Sequence, residues 1–556
     1  MYYLSAFTMG IPSYFSYIIK NYSNIIRNLY SLKADGTIFH HLYMDCNSII
    51  YDSVRTIEKM HDTAATGSLE DKIIDIVIDK IDGYIDIIQP TKTVYIAFDG
   101  VAPFAKMDQQ RSRRYKGSFS GSGSNSWTTS NITPGTQFMT KLADRVNEFY
   151  TNPKNRCKYI TEKIIVSASD ECGEGEHKMF RYIRQQKMGV NSNETAAVYG
   201  LDSDLIMLSI FHCSLFQNLF IFREAPEFMN VCAPLQSVDN PKNADRLEYY
   251  FMDILNLSNA ILMEMSPSYS SIGDRHRIYD YIFLCFFLGN DFLPHFPALN
   301  IRTTGIDILL NTYRSNIGKY GDRYLISPKM EIQWKWVTLF VKELANKQHE
   351  YILAEYNTRT KWKKHRWSLE SDKDCDFTLQ SIPVIYCAEE TYINPREKGW
   401  ENRYYKSLFH ETSHENASTV AINYLEGLEW VFKYYTMDCP DWKWKYNYHY
   451  PPLLCDLYAQ VSNHAKMNTS FFSENTHLIC TSPFHPIVQL IYVLPPSAQH
   501  LLPPNVQKYI DTEYKQLFPQ TFEFQWAFCR YFWESHIILP EIPLSLLEKW
   551  NLIIDQ

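Results

Sequence analysis

The amino-acid sequence predicts an α/β fold with a mostly parallel central sheet flanked by helices. Between residues 40 and 202, four short apolar segments alternate with segments of helical periodicity, a pattern typical of parallel sheets. Acidic residues follow the ends of these segments, as expected where strands deliver side chains to one edge of a sheet. The composition, 45% hydrophobic and 21% charged, is that of a globular chain with material for a large core.

The first elements follow one another in a regular order. A helical pattern opens at Met9 and runs to about Leu32, and the segment HHLYMD then forms a strand that ends at Asp45. Helical periodicity over residues 53–88 separates it from a second strand, TVYIAFDG, which ends at Asp99 and Gly100. These elements predict the first strand–helix–strand unit of the sheet.

The later elements continue this alternation. They are a Gly- and Ser-rich loop at 117–131, a helix at 133–150, a third strand at 162–169, another helix at 174–186 and a fourth strand at 195–202. We expect the loop to be flexible, because its apolar content is too low to pack. The periodicity weakens between residues 320 and 420, and a Trp- and Tyr-rich segment follows. We therefore divide the chain into regions 9–320, 321–420 and 421–556.

Charge and cysteine content narrow the class of protein. The formal net charge of −8 argues against a basic coat that binds any nucleic acid by charge alone, although a local basic groove is compatible with it. The 12 cysteines form no Cys-x-x-Cys pair, which argues against a structural zinc site. Neither a signal-peptide pattern nor an apolar run of membrane-spanning length is present. We expect an intracellular protein, cytoplasmic rather than nuclear, that does not bind membranes.

Carboxylates follow the predicted strand ends. The carboxyl ends of parallel strands meet at one edge of a sheet, so these side chains should converge there. A helix start and an apolar segment near residue 288 bring further acids toward the same edge. The candidate set is Asp45, Asp99, Glu174, Glu176, Asp202, Asp204 and Asp291.

Seven carboxylates in one pocket require a compensating positive charge, because like charges desolvated together raise one another's pKa. Mg²⁺ or Mn²⁺ prefers such oxygen ligands, and two ions about 4 Å apart are able to promote phosphodiester hydrolysis. The alternative is that each Asp is separately a turn former or helix cap. The order and number of the acids favour the two-ion site.

A basic segment follows Asp99 directly. If it is helical, Lys106, Gln110, Arg113 and Arg114 lie on one face of the helix. Arginine binds phosphate oxygens through two parallel hydrogen bonds, so this face is a candidate for a terminal phosphate. The alternative is an ordinary solvated face, which the position just beyond a candidate metal ligand disfavours.

Several segments together resemble one nuclease family. They are MGIPSYF at 9–15, LYMDCNSIIY at 42–51, IAFDGVAPFAKMDQQRSRRY at 96–115, SNITPGTQFM at 130–139, GEGEHKMFRYIR at 173–184, YGLDSDLIML at 199–208, FLGNDFLPHFPAL at 287–299, YLEGLEWVFKYY at 424–435, DWKWKYNYHYPPLLCDL at 441–457 and IYVLPPSAQHLLP at 491–503. In order and spacing the chain resembles the Xrn family of 5′-to-3′ exoribonucleases, in the form of a compact catalytic core. Residues 321–420 match no motif of that family.

The resemblance implies a flap-nuclease or PIN-like core, with a largely helical second region, residues 421–556, walling the active site. It implies processive hydrolysis of 5′-monophosphorylated single-stranded RNA to mononucleotides, with a role in RNA decay. The seven carboxylates fall on the family's metal-site positions. Lys106, Gln110, Arg113 and Arg114 fall on its 5′-monophosphate pocket. Protein partners stay open, with the decapping machinery as one candidate.

The resemblance also implies an aromatic pair that stacks on the first base. One member should be Trp442 or Trp444, although aromatic residues of this segment are individually more typical of core packing. The other is Tyr51, where the family usually has His. Phe104 and Asp108 depart from a basic residue and an Asn, and they should make the phosphate pocket less positive.

Two other functions compete with this interpretation. A flap-type, structure-specific DNA nuclease shares the acidic core, but it usually carries a glycine-rich helix-hairpin-helix that the sequence after Asp291 lacks. A catalytically silent RNA-binding protein has no reason to keep seven costly carboxylates together. Both alternatives fit the sequence less well than an exoribonuclease.

Overall fold

A seven-stranded mixed sheet lies at the centre of the N-terminal half of the computed structural model. The structure describes residues 11, 13–60, 68–119, 127–187, 193–200, 202–224, 249–266, 275–365, 371–410, 416–465 and 481–554. The strands are β1 (Ile26–Arg27), β2 (His41–Asp45), β3 (Thr93–Ala97), β4 (Lys163–Ser167), β5 (Thr195–Tyr199), β6 (Asn218–Glu224) and β7 (Tyr249–Asp253). Their order in the sheet is β1-β7-β6-β5-β2-β3-β4.

The inner strands run parallel. β2 pairs with β3 and β5, β3 with β4, and β5 with β6, whereas β7 and β1 add to one edge in antiparallel orientation. Every residue of β2, β3 and β5 is buried, because helices cover both faces of the sheet. The predicted mostly parallel α/β sheet is confirmed, and its four predicted strands are β2 to β5. β6 and β7 are not among the predicted strands.

Helices flank the sheet and dominate the rest of the chain. Those of the first half are α1 (Tyr14–Asn21), α2 (Leu29–Ala34), α3 (Asn47–Met60), α4 (Leu69–Ile88), α5 (Phe104–Phe119), α6 (Gln137–Thr151), α7 (Pro153–Arg156), α8 (Gly175–Lys187), α9 (Ser203–His212), α10 (Ile254–Met265), α11 (Arg277–Cys285) and α12 (Gly305–Tyr313). None of the helices in the described ranges has both the length and the apolar character needed to cross a bilayer.

The second half is built mainly of helices. They are α13 (Trp334–Asn346), α14 (Gln348–Lys363), α15 (Asp372–Gln380), α16 (Ile382–Ile385), α17 (Ala388–Ile393), α18 (Trp400–Leu408), α19 (Ala417–Thr436), α20 (Leu454–His464), α21 (Pro486–Val493), α22 (Pro504–Glu513) and α23 (Leu544–Ile554). A two-stranded hairpin, β8 (Glu523–Gln525) with β9 (His536–Ile538), packs beside α5.

Two predicted helices differ from the structure. The helix expected from Met9 to Leu32 is wrong as a continuous element, because Ile26 and Arg27 pair with β7 at the sheet edge and separate α1 from α2. The periodicity over 53–88 belongs to α3 and α4, and residues 61–67 between them lie outside the described ranges. Residues 120–126 of the predicted Gly/Ser loop also lie outside them.

Side chains of β2 point alternately into two apolar cores. Leu42 and Met44 join the core formed with α3, α4 and α6, whereas Tyr43 joins the core on the opposite face. That second core continues without interruption into α19, α13 and α20. The helical second half is therefore packed directly against the sheet that carries the acidic residues.

His212 ends α9, the helix whose first turn carries Asp204. Its Nδ1 lies 2.7 Å from the Leu208 carbonyl and its Nε2 lies 3.2 Å from Nη1 of Arg184. A carbonyl only accepts and a guanidinium only donates, so the neutral ring with its proton on Nδ1 satisfies both contacts. Burial, and then the charge of Arg184, lowers the pKa of His212 to about 3.

This neutral His212 gives the fold a measurable sensitivity to acid. The unfolded chain binds a proton at His212 below pH 6.5 while the folded chain does not, so stability is lost as the pH falls. Between pH 7 and pH 5 we expect the free energy of unfolding of the wild type to fall by about 2 kcal/mol more than that of His212→Gln. Urea denaturation at the two pH values measures the difference, and equal losses in both proteins would contradict the assignment.

Candidate active site

Acidic side chains meet at the carboxyl edge of the parallel strands. Asp45 is the last residue of β2, and Asp99 follows β3 by two residues. Both contact the start of α8. A Cβ built on Gly175 would lie 2.7 Å from Oδ1 of Asp45, and the Gly175 amide donates to Oδ1 of Asp99 at 2.7 Å. The glycine thus allows α8 to bring Glu174 and Glu176 against the strand ends.

Asn47 fixes the orientation of Asp99. Its side-chain amide donates to Oδ2 of Asp99, and its Oδ1 accepts the Asp99 backbone N–H at 3.1 Å. These reciprocal bonds hold the carboxylate against α8. Asn47 is not among the residues predicted from the sequence, although its place two residues after Asp45, at the first turn of α3, was a usable signal.

Lys106 lies among the carboxylates. Its Nζ is 2.5 Å from Oε2 of Glu174 and 2.6 Å from Oδ2 of Asp291, and all three side chains are buried. Burial alone would lower the pKa of Lys106, but Asp291 and Glu174 raise it well above its ordinary value. The lysine predicted for the phosphate pocket therefore also supplies a fixed positive charge to the acidic site.

The remaining carboxylates repel one another. Burial first, and then neighbouring acids, raises the pKa values of Asp45, Glu176 and Asp204 well above their usual range. Burial also raises the pKa of Asp202, at the N-terminus of α9, to about 6. Oε2 of Glu176 and Oδ1 of Asp204 are buried and accept no hydrogen bond within the described part of the chain. The cluster holds more negative charge than Lys106 balances.

The carboxylate oxygens of this cluster are the type of ligand that divalent cations prefer. They are hard ligands, and two of them are buried with no hydrogen-bond donor among the residues that the structure describes. Bound positive charge would relieve the repulsion between the carboxylates. As the side chains stand, no three Asp, Glu, His or Cys residues in the described ranges are grouped closely enough to hold one ion. Lys106 bridges two of the carboxylates.

Helix α5 presents the residues predicted to bind phosphate. Gln110 accepts a hydrogen bond from Gln489, and Arg113 is exposed while its charge acts on Asp202. The Arg114 guanidinium instead donates to the backbone carbonyls of Thr129 at 3.0 Å and Ile132 at 2.8 Å. Gln110 and Arg113 are therefore the members of this face best placed for a ligand, and Arg114 holds Thr129, within the predicted Gly/Ser loop, and Ile132, directly after it.

Asp108 does not leave an unbalanced charge beside this face. Its Oδ1 accepts from Nζ of Lys445 at 3.1 Å and from the Tyr492 hydroxyl at 2.5 Å. Burial would raise the pKa of Asp108, but Lys445 and Tyr492 hold it below the usual range. Lys445 also lies 5.2 Å from the centre of the Phe104 ring. The two departures from the family pattern thus form one contact with the second region.

The candidate stacking residues occupy different environments. Tyr51 is half-buried on α3, and its hydroxyl hydrogen-bonds the Arg114 guanidinium. Trp442 is half-buried, and its backbone carbonyl accepts from the Phe104 amide at 2.9 Å, close to Lys106. Trp444 is only 6% exposed and stacks on Trp430 with ring centres 5.2 Å apart. Trp442 is the better placed of the two tryptophans to meet a base.

Helix α19 of the second region completes the acidic site. The Tyr434 hydroxyl donates to Oε1 of Glu174 at 2.8 Å, and Tyr435 hydrogen-bonds Asp204. His177 stacks on Tyr434 with ring centres 3.7 Å apart. Both tyrosines lie in the family-like segment 424–435, but neither was predicted to have a role in the site. They orient two carboxylates from a part of the chain more than 200 residues away.

Comparison with known proteins agrees with this architecture. The family model described as "XRN 5'-3' exonuclease N-terminus" matches residues 9–124 and 120–225. The model described as "Xrn1 helical domain" matches residues 273–382 and 388–550, including most of the stretch in which the sequence analysis found no motif. The first match covers strands β1 to β6 and six of the seven carboxylates, and the second covers Asp291 and most of the helical second half.

Individual relatives extend the match to nearly the whole chain. It is 26% identical to a protein named 5'-3' exoribonuclease 2 homolog from Drosophila melanogaster, over 97% of this chain and 70% of that protein. It is 25% identical to 5'-3' exoribonuclease 2 of Arabidopsis thaliana, over 96% of this chain and 66% of that protein. It is also 26% identical to 5'-3' exoribonuclease 1 of Saccharomyces cerevisiae, over 89% of this chain and 40% of that protein. Because the two family models together match most of its length, the chain belongs to the Xrn family of 5′-3′ exonucleases.

Proposed function

We propose that this protein is a 5′-to-3′ exoribonuclease that degrades single-stranded RNA processively from a 5′-monophosphate, as part of RNA decay. The observation that carries the proposal is the position of α5. One helix delivers Lys106 to the carboxylates and, one and two turns later, Gln110 and Arg113 to the candidate phosphate face. Relatives named 5'-3' exoribonuclease support the activity and the polarity.

Divalent cations, Mg²⁺ or Mn²⁺ and two in number, would be held by the carboxylate set Asp45, Asp99, Glu174, Glu176, Asp202, Asp204 and Asp291. Bound there, they would supply activation of water and neutralise the leaving oxygen of the phosphodiester. The chain's own residues orient the ligands. Asn47 holds Asp99, Tyr434 holds Glu174, and Lys106 balances part of the charge.

The second region supports cleavage from an end rather than within a strand. Helix α19 contacts the acidic site through Tyr434, and the Trp442 backbone lies against the start of α5, an arrangement that favours admission of the strand by its terminus. A 5′-phosphate held by Arg113 and Gln110 places the first phosphodiester toward the carboxylates. Stacking of the first base between Tyr51 and Trp442 would keep the strand bound between successive cleavages.

The preference for the 5′ end tests the proposal. We expect RNA with a 5′-monophosphate to be degraded at least tenfold faster than the same RNA with a 5′-hydroxyl, and Arg113→Ala to remove most of that preference, because a charged hydrogen bond to phosphate is lost. The measurement is kcat/KM on the two RNAs in the presence of Mg²⁺. Triphosphate and capped RNAs should also be poor substrates.

Arg145→Ala is the matched control. Arg145 is an exposed arginine on α6 whose guanidinium pairs with Asp75, away from the acidic site. Its replacement should leave both rates unchanged. Equal decay of all four RNA ends by the wild type would overturn the phosphate pocket.

A further inference from the structure

Gln489 connects the second region to the candidate phosphate face. It lies on α21, is completely buried, and makes two hydrogen bonds to the N-terminal region. Its Oε1 accepts from the Ala102 backbone N–H at 2.9 Å, just before α5 begins. Its Nε2 donates to Oε1 of Gln110 at 3.0 Å, two turns along that helix.

The first of these bonds dictates the second. A backbone N–H is only a donor, so the side chain of Gln489 must turn its oxygen toward Ala102. Its NH₂ then faces Gln110, and Gln110 must accept this hydrogen bond through its own side-chain oxygen. The group left on Gln110 to meet a ligand is therefore its NH₂, a donor. A phosphate oxygen, which only accepts, requires that orientation.

The surroundings keep Gln489 in place. Its neighbours on α21, Val488 and Leu490, are buried in an apolar cluster that also contains Phe104 and Met107 of α5. The Tyr492 hydroxyl, one turn further on α21, donates to Asp108 of α5 at 2.5 Å. Contacts on both sides of Gln489 thus fix the two helices against each other.

We propose that Gln489 is a positioning residue for recognition of the 5′-monophosphate: through its bond to Gln110, it fixes the Gln110 amide with its NH₂ toward the phosphate. This inference rests on the proposed phosphate pocket. Gln489 itself does not touch the substrate. Without it, the Gln110 amide is free to rotate and to present its oxygen, which repels phosphate.

Two variants of Gln489 distinguish loss of the Gln110 amide orientation from an effect on folding and from the negative charge that Glu introduces. Gln489→Glu keeps an acceptor for the Ala102 N–H and loses the donor to Gln110, whereas Gln489→Met is neutral and loses both. The readout is the ratio of kcat/KM for 5′-monophosphate RNA to that for 5′-hydroxyl RNA. We expect Gln489→Glu, Gln489→Met and Gln110→Met each to lower this ratio by about tenfold, because the loss falls mainly on the rate for 5′-monophosphate RNA.

A double variant tests whether the effect passes through Gln110. In a Gln110→Met background, adding Gln489→Met should not lower the ratio further, because the group that it orients is already absent. Val488→Ala is the packing control. It removes a buried apolar contact from the same helix, and should lower thermal stability while leaving the ratio at the wild-type value.

The possible results distinguish failure of the Gln489 positioning role from failure of the proposed phosphate pocket. If the wild type itself shows no preference for the monophosphate, the phosphate pocket is wrong. If the wild type and Gln110→Met behave as expected but both Gln489 variants keep the wild-type ratio, the pocket stands and the positioning role is wrong. Equal losses on both RNAs in the Gln489 variants would likewise show a merely structural role.

Discussion

Replacing Asp204 by Asn is expected to reduce RNA hydrolysis by about a thousandfold while the protein stays folded. The exchange keeps the size of the side chain but removes a negative charge from the centre of the acidic site. Loss of a metal-ligand charge costs several kcal/mol of barrier, and each 1.36 kcal/mol is about tenfold in rate. Asp202→Asn should behave in the same way. The measurement is single-turnover degradation of 5′-monophosphate RNA in Mg²⁺.

Thermal unfolding provides a readout that does not depend on activity. Burial and repulsion from Asp291 raise the pKa of Asp204, so its ionised form destabilises the folded protein when no cation is bound. In EDTA, Asp204→Asn should therefore be at least as stable as the wild type. Mg²⁺ should raise the melting temperature of the wild type more than that of the variant.

Asp253→Asn controls for removal of a buried acid elsewhere. Asp253 is buried at the N-terminus of α10, where its side chain accepts from the Asn256 amide, and Asn caps a helix as well as Asp does. This variant should keep full activity. Near-normal turnover in a folded Asp202→Asn, Asp204→Asn double variant would show that the acidic cluster is not the hydrolytic site.

Local sequence determines the part of the site that lies at the strand ends. Asp45 and Asp99 were predictable because a buried parallel strand forms a short apolar run in the sequence, and the residues at its carboxyl end lie at the sheet edge. The two antiparallel strands of the sheet, β1 and β7, were harder to predict. β1 has two residues, and β7 depends on its antiparallel partner β6, so neither has a strong periodicity of its own.

Contacts between distant segments were not predictable. Lys106 and Arg114 share one helix face with Gln110 and Arg113, but the ion pairs of Lys106 and the carbonyl contacts of Arg114 depend on residues that only the fold brings near. The same holds for Tyr434, which reaches Glu174 from a helix 260 residues further along the chain. Spacing along a helix gives the face of a side chain and leaves its partner undetermined.

Trp442 and Trp444 show the same limit at closer range. They are two residues apart in an irregular segment, so neither helical nor strand periodicity separates a buried from an accessible ring. In the structure Trp444 packs into the core, and a Cβ on Gly427 would lie 2.9 Å from its ring. Trp442 is held by its backbone, to Phe104 and to the Thr481 hydroxyl, and its ring is half-buried.

This difference predicts opposite effects for two similar substitutions. Trp444→Ala should lower the free energy of unfolding by about 3–5 kcal/mol, because a buried aromatic ring stacked on Trp430 is removed. Trp442→Ala should change stability by less than about 1 kcal/mol and slow successive cleavages by about tenfold or more, because stacking contributes about 1–3 kcal/mol per base. Urea denaturation and the length of processive runs on end-labelled RNA measure the two effects.

Conservative variants separate stacking from shape. Trp442→Phe keeps an aromatic face and should retain long processive runs, whereas Trp442→Leu keeps apolar bulk without a π-face and should resemble Trp442→Ala. Tyr51→Ala should shorten the runs as Trp442→Ala does, since both rings would contact the same base. If Trp444→Ala shortened the runs without loss of stability while Trp442→Ala did not, Trp444 would be the ring that meets the base. The packing of Trp444 on Trp430 argues that Trp442 is the ring that meets the base. If Trp444 left the core to meet RNA, it would leave a destabilising cavity beside Trp430 of α19.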